Sequence, residues 1–211
     1  MILVCAAMTS EVNAILAFYP FKKIDEGLFR YQYHTKEILL TITGIGKVEA
    51  AHQLTKILAT YKVQKIYNIG LAGATPPYHQ GDIIAIEHAT YHDFDLTIFG
   101  YKKGQVPGRP HPFLSDPKML KHACDKLNIQ KAQCYTGDYF MTETLPGAYV
   151  VDMEGAALYH VALLENIPIL AIKVISDVLG MDQHVASYQA FEEKQGAEIL
   201  RTIFQKVVVE G

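Results

Sequence analysis

The chain has 211 residues, half of them hydrophobic, and a formal net charge of -3. A chain of this size can bury a substantial core, and we expect it to form one domain over residues 1–211. The slightly acidic balance, with basic runs of at most two residues, argues against nucleic acid or an anionic membrane as partner and favours a small molecule.

Cysteine usage and the lengths of the apolar runs favour a reducing compartment. The cysteines are scattered and never form a CxxC pair, which argues against a disulfide framework and a zinc knuckle: Cys5, Cys124 and Cys134. The apolar residues 1–7 are too short for a signal peptide, and the apolar runs are too short to span a membrane. We therefore expect a cytoplasmic protein.

The first 70 residues alternate between strand-like and helical patterns. The apolar residues 2–7 predict a buried strand, and Thr9 and Ser10 can cap a helix that begins near Glu11. Two short runs rich in aromatic and β-branched residues, 29–34 and 38–43, predict a hairpin. Apolar residues then recur at helical spacing, at Val48, Ala51, Leu54, Ile57 and Leu58. Residues 66–70 predict a further strand.

The same alternation continues to the end of the chain. Further strands are predicted at residues 82–88, 148–151 and 168–175. Helices are predicted at residues 116–126, 153–165 and 187–208. This order predicts an α/β fold of three layers, with a central mixed sheet and helices on both faces.

Residues 168–177 (PILAIKVISD) form an apolar run that ends in Ser176 and Asp177. A strand buried on both faces of a parallel sheet has this pattern, and such strands carry functional groups at their carboxyl ends. A carboxylate in a crevice there is partly desolvated, so its pKa should rise and it could act as a general acid near neutral pH. The alternative is that Asp177 caps the next helix or turn.

Other acidic residues also follow predicted strands. Asp152 and Glu154 lie where a short strand passes into a helix of small residues. A carboxylate there can accept hydrogen bonds from the vicinal hydroxyls of a ribose, or it can complement the helix dipole. Glu11 has a similar ambiguity. In an open α/β sheet, Glu11, Glu154 and Asp177 could all converge on one edge.

Glycine-containing turns and arginines constrain the ligand. Residues 43–46 and 70–73 could bring backbone amides close to an anion or a sugar, or could be tight connections. Enzymes that bind free phosphate as a reactant favour arginine for its bidentate geometry, and the chain contains only Arg30, Arg109 and Arg201. Phosphate as a reactant is therefore disfavoured.

Several segments, in order over roughly residues 2–180, resemble the 5'-methylthioadenosine/S-adenosylhomocysteine nucleosidases of the nucleoside phosphorylase superfamily. They are residues 6–11 (AAMTSE), 44–51 (GIGKVEAA), 68–73 (NIGLAG), 91–101 (YHDFDLTIFGY) with 104–108 (GQVPG), 152–157 (DMEGAA) and 175–177 (ISD). Residues 91–108 are the most specific match, because their aromatic and glycine positions rarely recur together by chance.

The resemblance implies the nucleoside phosphorylase fold and hydrolysis of the N-glycosidic bond of a 5'-substituted adenine nucleoside. Water would be the cosubstrate, no metal or other cofactor would be needed, and the protein would be a homodimer. Asp177, helped by Ser176, would protonate N7 of adenine. Glu11 would orient or activate the attacking water, and Glu154 would bind the ribose hydroxyls.

The resemblance also implies a set of substrate-binding residues. Met8 and Met153 would line the ribose and the water site, Phe140 would stack on the adenine, and backbone groups of Met141 would read its edge. Three neighbouring residues would join them: Leu71, Ala72 and Gly73. The wall of the apolar 5' pocket would comprise Leu96, Phe99, Tyr101 and Pro107, the last two from across a dimer interface. The aromatic residues of 91–101 also admit a core or interface role.

The chain departs from the family pattern at several positions. Thr9 and Ser10 replace an acidic pair, Lys173 replaces an arginine, and the segment 136–142 lacks a familiar asparagine. The alternatives are a futalosine-type nucleosidase of menaquinone biosynthesis, a nucleoside phosphorylase, or a nucleoside-binding protein without turnover. Three histidines are too widely spaced to predict a zinc site: His92, His111 and His184.

Overall fold

The computed structural model describes residues 1–142, 144–180, 191 and 195–211. The strands are β1 Ile2–Ala6, β2 Lys22–Asp25, β3 Leu28–Tyr33, β4 Lys36–Ile42, β5 Lys65–Ala74, β6 Ile83–Tyr91, β7 Phe113–Leu114, β8 Gln130–Thr136, β9 Val150–Asp152 and β10 Ile169–Val178. The α-helices are α1 Thr9–Phe18, α2 Lys47–Thr60, α3 Pro117–Leu127, α4 Gly155–Leu164 and α5 Ala197–Ile203. A 3-10 turn covers Thr97–Phe99, and a π-helical segment, Phe204–Val209, continues α5.

The strands form one mixed sheet in the order β10-β6-β8-β9-β5-β1-β4-β3-β2. Because β10 also pairs with β5, five of these strands form a closed ring: β10, β6, β8, β9 and β5. The pairs β5 with β1, β1 with β4, and β10 with β5 are parallel. Every residue of β10 is buried, as expected for a parallel strand covered on both faces.

Hydrophobic cores lie on both faces of this sheet. One core packs buried side chains of α2 and α4, such as Leu54 and Leu158, against the strands. The other packs α1, α3 and α5, for example through Ile15, Ala123 and Leu200. The prediction of a three-layer α/β fold with a central mixed sheet is therefore confirmed.

The first helix begins at Thr9, about two residues earlier than predicted. Thr9 and Ser10 are helical, and the N-cap position belongs to Met8. Glu11 supplies the cap from inside the helix, because its side chain accepts a hydrogen bond from the backbone N–H of Met8. The buried face of α2 also differs from the predicted one. Ala50, Leu54 and Ile57 are buried, whereas Val48, which was predicted to be on the apolar face, is 77% exposed.

Several strands differ from the predictions. The predicted strand 66–70 runs on to Ala74, so residues 70–73 belong to β5 and not to a turn. The edge strand β2 and the strand β8 were not predicted, because three of the four residues of β2 are charged and β8 begins with exposed polar residues.

The C-terminal helix is described in part. Of the predicted helix 187–208, the described residues 197–203 are α-helical and the following segment is π-helical. Residues 187–190 and 192–194 lie outside the described part of the chain. Among the described residues, no helix is both long and apolar enough to cross a bilayer.

Candidate active site

A cavity of about 210 Å³ lies at the carboxyl ends of β1, β5 and β10. This is the edge at which an α/β sheet binds ligands. Its described lining consists of Ala7, Met8, Glu11, Ile45, Leu71, Ala72, Gly73, Tyr139, Phe140, Met141, Val151, Asp152, Met153, Glu154, Ser176 and Asp177.

Glu11 is held in the first turn of α1 by backbone donors from two elements. Its Oε2 accepts hydrogen bonds from the N–H groups of Ala7 at 2.8 Å and Met8 at 3.0 Å. Its Oε1 accepts one from the N–H of Leu71 in β5 at 2.7 Å. Both oxygens of the carboxylate are therefore held by backbone donors. The residue is buried, with only 3% of it exposed.

Gly70 makes room for that carboxylate. A Cβ at Gly70 would lie 2.7 Å from Oε1 of Glu11, so a side chain there would displace the acid. Residues 70–73 thus bring a backbone amide to a carboxylate from within a strand, and they form neither the predicted ligand turn nor a tight connection. The anion that Leu71 contacts is the protein's own Glu11.

Glu154 occupies the N-cap position of α4 and is tied to the glycine segment that precedes α2. Its Oε1 accepts a hydrogen bond of 2.8 Å from the N–H of Gly46. Gly46 has a φ of 94°, a conformation that favours glycine, and this geometry directs its amide toward the carboxylate. The segment 43–46 therefore joins α2 to the acid at the start of α4.

Ser176 and Asp177 both line the cavity, although neighbouring residues of a strand normally point to opposite faces. The pairing of β10 with β5 shifts register between Ile175 and Asp177, and such a bulge redirects side chains. The hydroxyl of Ser176 lies 2.7 Å from Oδ1 of Asp177 and can donate to it. Asp177 is only 2% exposed, and it belongs to the strand, not to a helix cap.

Asp152 is committed to structural contacts. Its Oδ2 lies 2.8 Å from Nζ of Lys173 and accepts a hydrogen bond from the N–H of Gly155 at 3.0 Å. Its Oδ1 accepts from the hydroxyl of Thr136 at 2.6 Å. The sequence left two roles open for Asp152: binding the hydroxyls of a ribose, or stabilising the N-terminus of a helix. Its contact with Gly155 at the start of α4 favours the second role.

The electrostatics of the site follow from burial and from Lys173. Burial raises the pKa of Glu11, against the opposing effects of the Leu71 N–H group and Lys173. Burial and the nearby charge of Asp152 raise the pKa of Glu154 to about 7, and Lys173 again opposes the shift. Burial alone would lower the pKa of Lys173, but Asp152 reverses this and keeps the ammonium charged.

The structure brings together most residues that the sequence analysis assigned to the site. The acids Glu11, Glu154 and Asp177 share one cavity. Eight of the predicted binding residues line it with them: Met8, Leu71, Ala72, Gly73, Phe140, Met141, Met153 and Ser176. The other four do not line the cavity of the single chain: Leu96, Phe99, Tyr101 and Pro107.

Five lining residues had not been assigned to the site: Ala7, Ile45, Tyr139, Val151 and Asp152. Ala7, Tyr139 and Asp152 are adjacent in sequence to an assigned residue, and Ile45 lies between two glycines of a matched segment, so this adjacency was the available signal for four of them. Val151 is two residues from Met153 and had no such signal. Tyr139 is 51% exposed and Ile45 is 56% exposed, so both lie at the open side of the cavity.

Cationic groups are scarce in the described lining. The chain's three arginines lie outside it: Arg30 contacts Glu37, Arg201 contacts Glu198, and Arg109 is exposed. Within the described ranges, no group of three histidine, cysteine or acidic side chains is arranged to hold a metal ion.

Comparisons with known proteins show which sequences and folds this chain is similar to. The chain matches the sequence profile of the Phosphorylase superfamily over residues 1–208. A 5'-methylthioadenosine/S-adenosylhomocysteine nucleosidase of Bacillus pumilus is 35% identical over 180 residues, which are 76% of this chain and 77% of that relative.

Solved structures share the fold. A Borrelia burgdorferi structure assigned to the same nucleosidases and bound to adenine has a TM-score of 0.89 and 28% identity, covering 97% of this chain and 99% of that chain. The futalosine hydrolase of Helicobacter pylori has a TM-score of 0.91 at 24% identity, covering 100% of this chain and 97% of that chain. At that lower identity the second similarity concerns the fold.

Proposed function

This chain belongs to the phosphorylase superfamily and, within it, to the 5'-methylthioadenosine/S-adenosylhomocysteine nucleosidases, and on that premise we propose that it hydrolyses the N-glycosidic bond of 5'-thio-substituted adenine nucleosides. Water and the nucleoside are consumed, and adenine and the thioribose are released. We propose that the chain acts as a single cytoplasmic domain.

The observation that carries the proposal is the convergence of Glu11, Glu154 and Asp177 on one cavity. Cleavage of an N-glycosidic bond passes through a ribosyl cation with oxocarbenium character. The reaction therefore needs anions beside the sugar and an acid at the leaving base, as glycosidases pair two carboxyl groups. A cavity with several differently held carboxyl groups meets that need.

Each acid has surroundings suited to one role. Asp177, contacted by the Ser176 hydroxyl, donates the proton to N7 of adenine, so the base leaves neutral. Glu11, oriented by three backbone N–H groups, positions and activates the water, since each carboxylate oxygen accepts more than one hydrogen bond. Glu154 binds the ribose hydroxyls beside its contact with Gly46.

Apolar lining accounts for the rest of the substrate. Phe140 stacks on the adenine, and backbone groups of Met141 read its edge. Met8 and Met153 pack against the ribose and the water site, because thioether side chains adapt to irregular apolar surfaces. Leu71, Ala72 and Gly73 complete the wall along β5.

The 5' substituent requires a second subunit in this proposal. Ile98 and Phe99 are 87% and 73% exposed in the single chain, and apolar side chains as exposed as these mark interaction surfaces. A homodimer that covers residues 91–108 buries them. It also brings Leu96, Phe99, Tyr101 and Pro107 into the wall of a 5' pocket.

The scarcity of cations in the described lining favours water over phosphate as the attacking group. Free phosphate in an active site is usually held by arginine, and the chain's arginines lie outside the cavity lining. A nucleoside phosphorylase reading would require other groups to bind that anion.

The deciding experiment incubates the purified protein with methylthioadenosine, adenosine and futalosine in phosphate buffer. The proposal expects adenine from methylthioadenosine together with unphosphorylated thioribose. A sugar 1-phosphate as the main product in phosphorus NMR would indicate a phosphorylase. Release of base from futalosine alone would indicate the menaquinone-route enzyme, and binding without turnover would indicate a nucleoside-binding protein.

A further inference from the structure

Three segments of the chain meet beside the cavity at Lys47, Asp93 and Asp138. Lys47 begins α2, Asp93 follows β6, and Asp138 follows β8. The Nζ of Lys47 lies 2.6 Å from Oδ2 of Asp93 and 3.5 Å from Oδ2 of Asp138. The side chains of Lys47 and Asp93 are only 24% and 19% exposed, so water screens this pair less than the other lysine pairs of the surface.

Backbone hydrogen bonds reinforce the charges. The N–H of Asp138 donates to Oδ2 of Asp93 at 2.9 Å. The N–H of Lys47 donates to Oδ1 of Asp138 at 2.8 Å. Hydrogen bonds with one charged partner are stronger than neutral ones, and here two carboxylates each accept a backbone N–H from another segment.

Asp138 is the second residue of the segment 137–142, which we call the base loop because Tyr139, Phe140 and Met141 line the cavity. Tyr139 is 51% and Phe140 43% exposed, so the tip of this loop lies at the open side of the cavity. The contacts of Asp138 tie this loop to α2 and to the segment after β6. They anchor the residue that precedes the cavity-lining side chains.

The base loop packs on His92 and lies beside the backbone segment of Gly46 and Lys47. A Cβ at Gly137 would lie 2.3 Å from the buried ring of His92, so the loop rests directly on that ring. The same ring meets Tyr139 edge to face at 4.7 Å between centroids. On the other side, Gly46, the residue before Lys47, donates its N–H to Glu154. One short backbone segment therefore contacts both the base loop and an acid of the site.

We propose that Lys47, Asp93 and Asp138 form a bridge of positioning residues that holds the base loop in its binding conformation before substrate arrives. The proposal rests on the proposed function, in which Phe140 and Met141 receive the adenine. Ordering a loop in advance removes part of the entropy cost of binding, so the bridge acts on affinity for the base and leaves the bond-breaking step to other groups.

The test compares two variants that break the bridge with a matched control on the same helix. Lys47→Met removes the ammonium but keeps the backbone N–H that Asp138 accepts. Asp93→Asn removes a negative charge and keeps an oxygen for the N–H of Asp138. The control is Lys56→Met, because Lys56 also lies on α2 and pairs with Asp25 at 3.4 Å in a more exposed place.

The expected result has two independent parts. In the protein without substrate, amide hydrogen exchange of residues 138–142 becomes faster in Lys47→Met and Asp93→Asn than in Lys56→Met. With methylthioadenosine, KM rises by roughly five- to twentyfold while kcat changes by less than about threefold, since uniform binding is lost and chemistry is retained. Lys47→Arg restores much of both.

The two parts separate this proposal from the proposed function. Exchange rates need no substrate, so accelerated exchange in a protein that does not release adenine supports the bridge and removes the proposed reaction. The bridge proposal is wrong if folded Lys47→Met and Asp93→Asn show the same exchange rates and the same KM as Lys56→Met. A fall in kcat with KM unchanged overturns it too, because the charges then act on the reaction and not on the loop.

Discussion

Asp152 and Lys173 form an ion pair inside the protein, with 2.8 Å between Oδ2 and Nζ and side chains only 1% and 2% exposed. Thr136 and Gly155 donate further hydrogen bonds to the same carboxylate. The pair joins β10, which carries Asp177, to the last residue of β9, two residues before Glu154 at the N-cap of α4. Lys173 is also the cation whose charge opposes the rise in pKa of both Glu11 and Glu154.

Replacing Lys173 with Met should destabilise the fold strongly. The change leaves Asp152 buried without its cation, and breaking a buried ion pair from one side costs about 3 to 5 kcal/mol. The double variant Asp152→Asn with Lys173→Met should recover part of the loss, because no uncompensated charge remains. Urea unfolding measures both, and a loss below about 1 kcal/mol in the single variant would show that the pair matters little.

Asp177→Asn should nearly abolish turnover while adenine still binds, because the amide keeps the shape of the side chain and cannot supply the proton. General acid catalysis is typically worth about two to four orders of magnitude in rate. The measurement is adenine release from methylthioadenosine, with Asp125→Asn, an exposed acid on α3, as control. Retention of more than about a tenth of kcat would remove Asp177 from the role of proton donor.

Glu11→Gln should reduce both the chemical step and stability. Both oxygens of Glu11 accept backbone N–H groups, so an amide NH₂ at either position would oppose a donor. Single-turnover kinetics should show a collapse of the rate, and thermal unfolding should show a lower midpoint. An unchanged single-turnover rate in the folded variant would mean that Glu11 does not handle the water.

Glu154 should make stability depend on pH in a defined direction. Its pKa rises from 4.5 to about 7 on folding, so between these values the native state holds a proton that the unfolded state has lost. The stabilising contribution of the protonated acid is fully present below pH 4.5 and is lost as pH rises through about 7.

Urea unfolding of the wild type and Glu154→Gln tests this. Between about pH 4.5 and pH 7.5, the wild type should lose up to roughly 3 kcal/mol of unfolding free energy relative to Glu154→Gln, because one pKa unit is worth about 1.4 kcal/mol. A difference that stays constant with pH would mean that Glu154 ionises like an exposed carboxyl.

Phe99→Asp should weaken the proposed dimer and the preference for a thioalkyl substituent together. Burying a methylthio group against an apolar wall should favour methylthioadenosine over adenosine by roughly ten- to two-hundredfold in kcat/KM. Phe18→Asp provides the control, since Phe18 is an exposed phenylalanine on α1 outside residues 91–108. Sedimentation and both substrates are measured for each. A fully monomeric Phe99→Asp protein with the original preference would place the 5' pocket within one subunit.

The convergence of Glu11 and Asp177 could be expected from the sequence, because each lies at or just beyond the carboxyl end of a buried, near-continuous apolar strand and such ends share one edge of a sheet. The sharing of the cavity by Ser176 and Asp177 could not. It depends on a register shift between β10 and β5, and a bulge leaves no mark in the hydrophobic pattern.

Contacts between residues far apart in the sequence could not be predicted either. Lys173 interrupts an apolar run, and its sequence neighbours do not indicate that Asp152 is its partner. The ring formed by β10, β6, β8, β9 and β5 arises from pairings between distant strands, one of which, β8, carries too many polar residues to be recognised by periodicity.

The ring has a consequence for how the protein behaves in concentrated solution. Closing β10 onto β5 satisfies strands that would otherwise offer backbone groups at an edge, and the open end of the sheet path falls to β2. That strand has four residues, all exposed, and three of them are the charged Lys22, Lys23 and Asp25. Short, charged edge strands discourage pairing with a second molecule, so the exposed end of this sheet is protected against edge-to-edge aggregation.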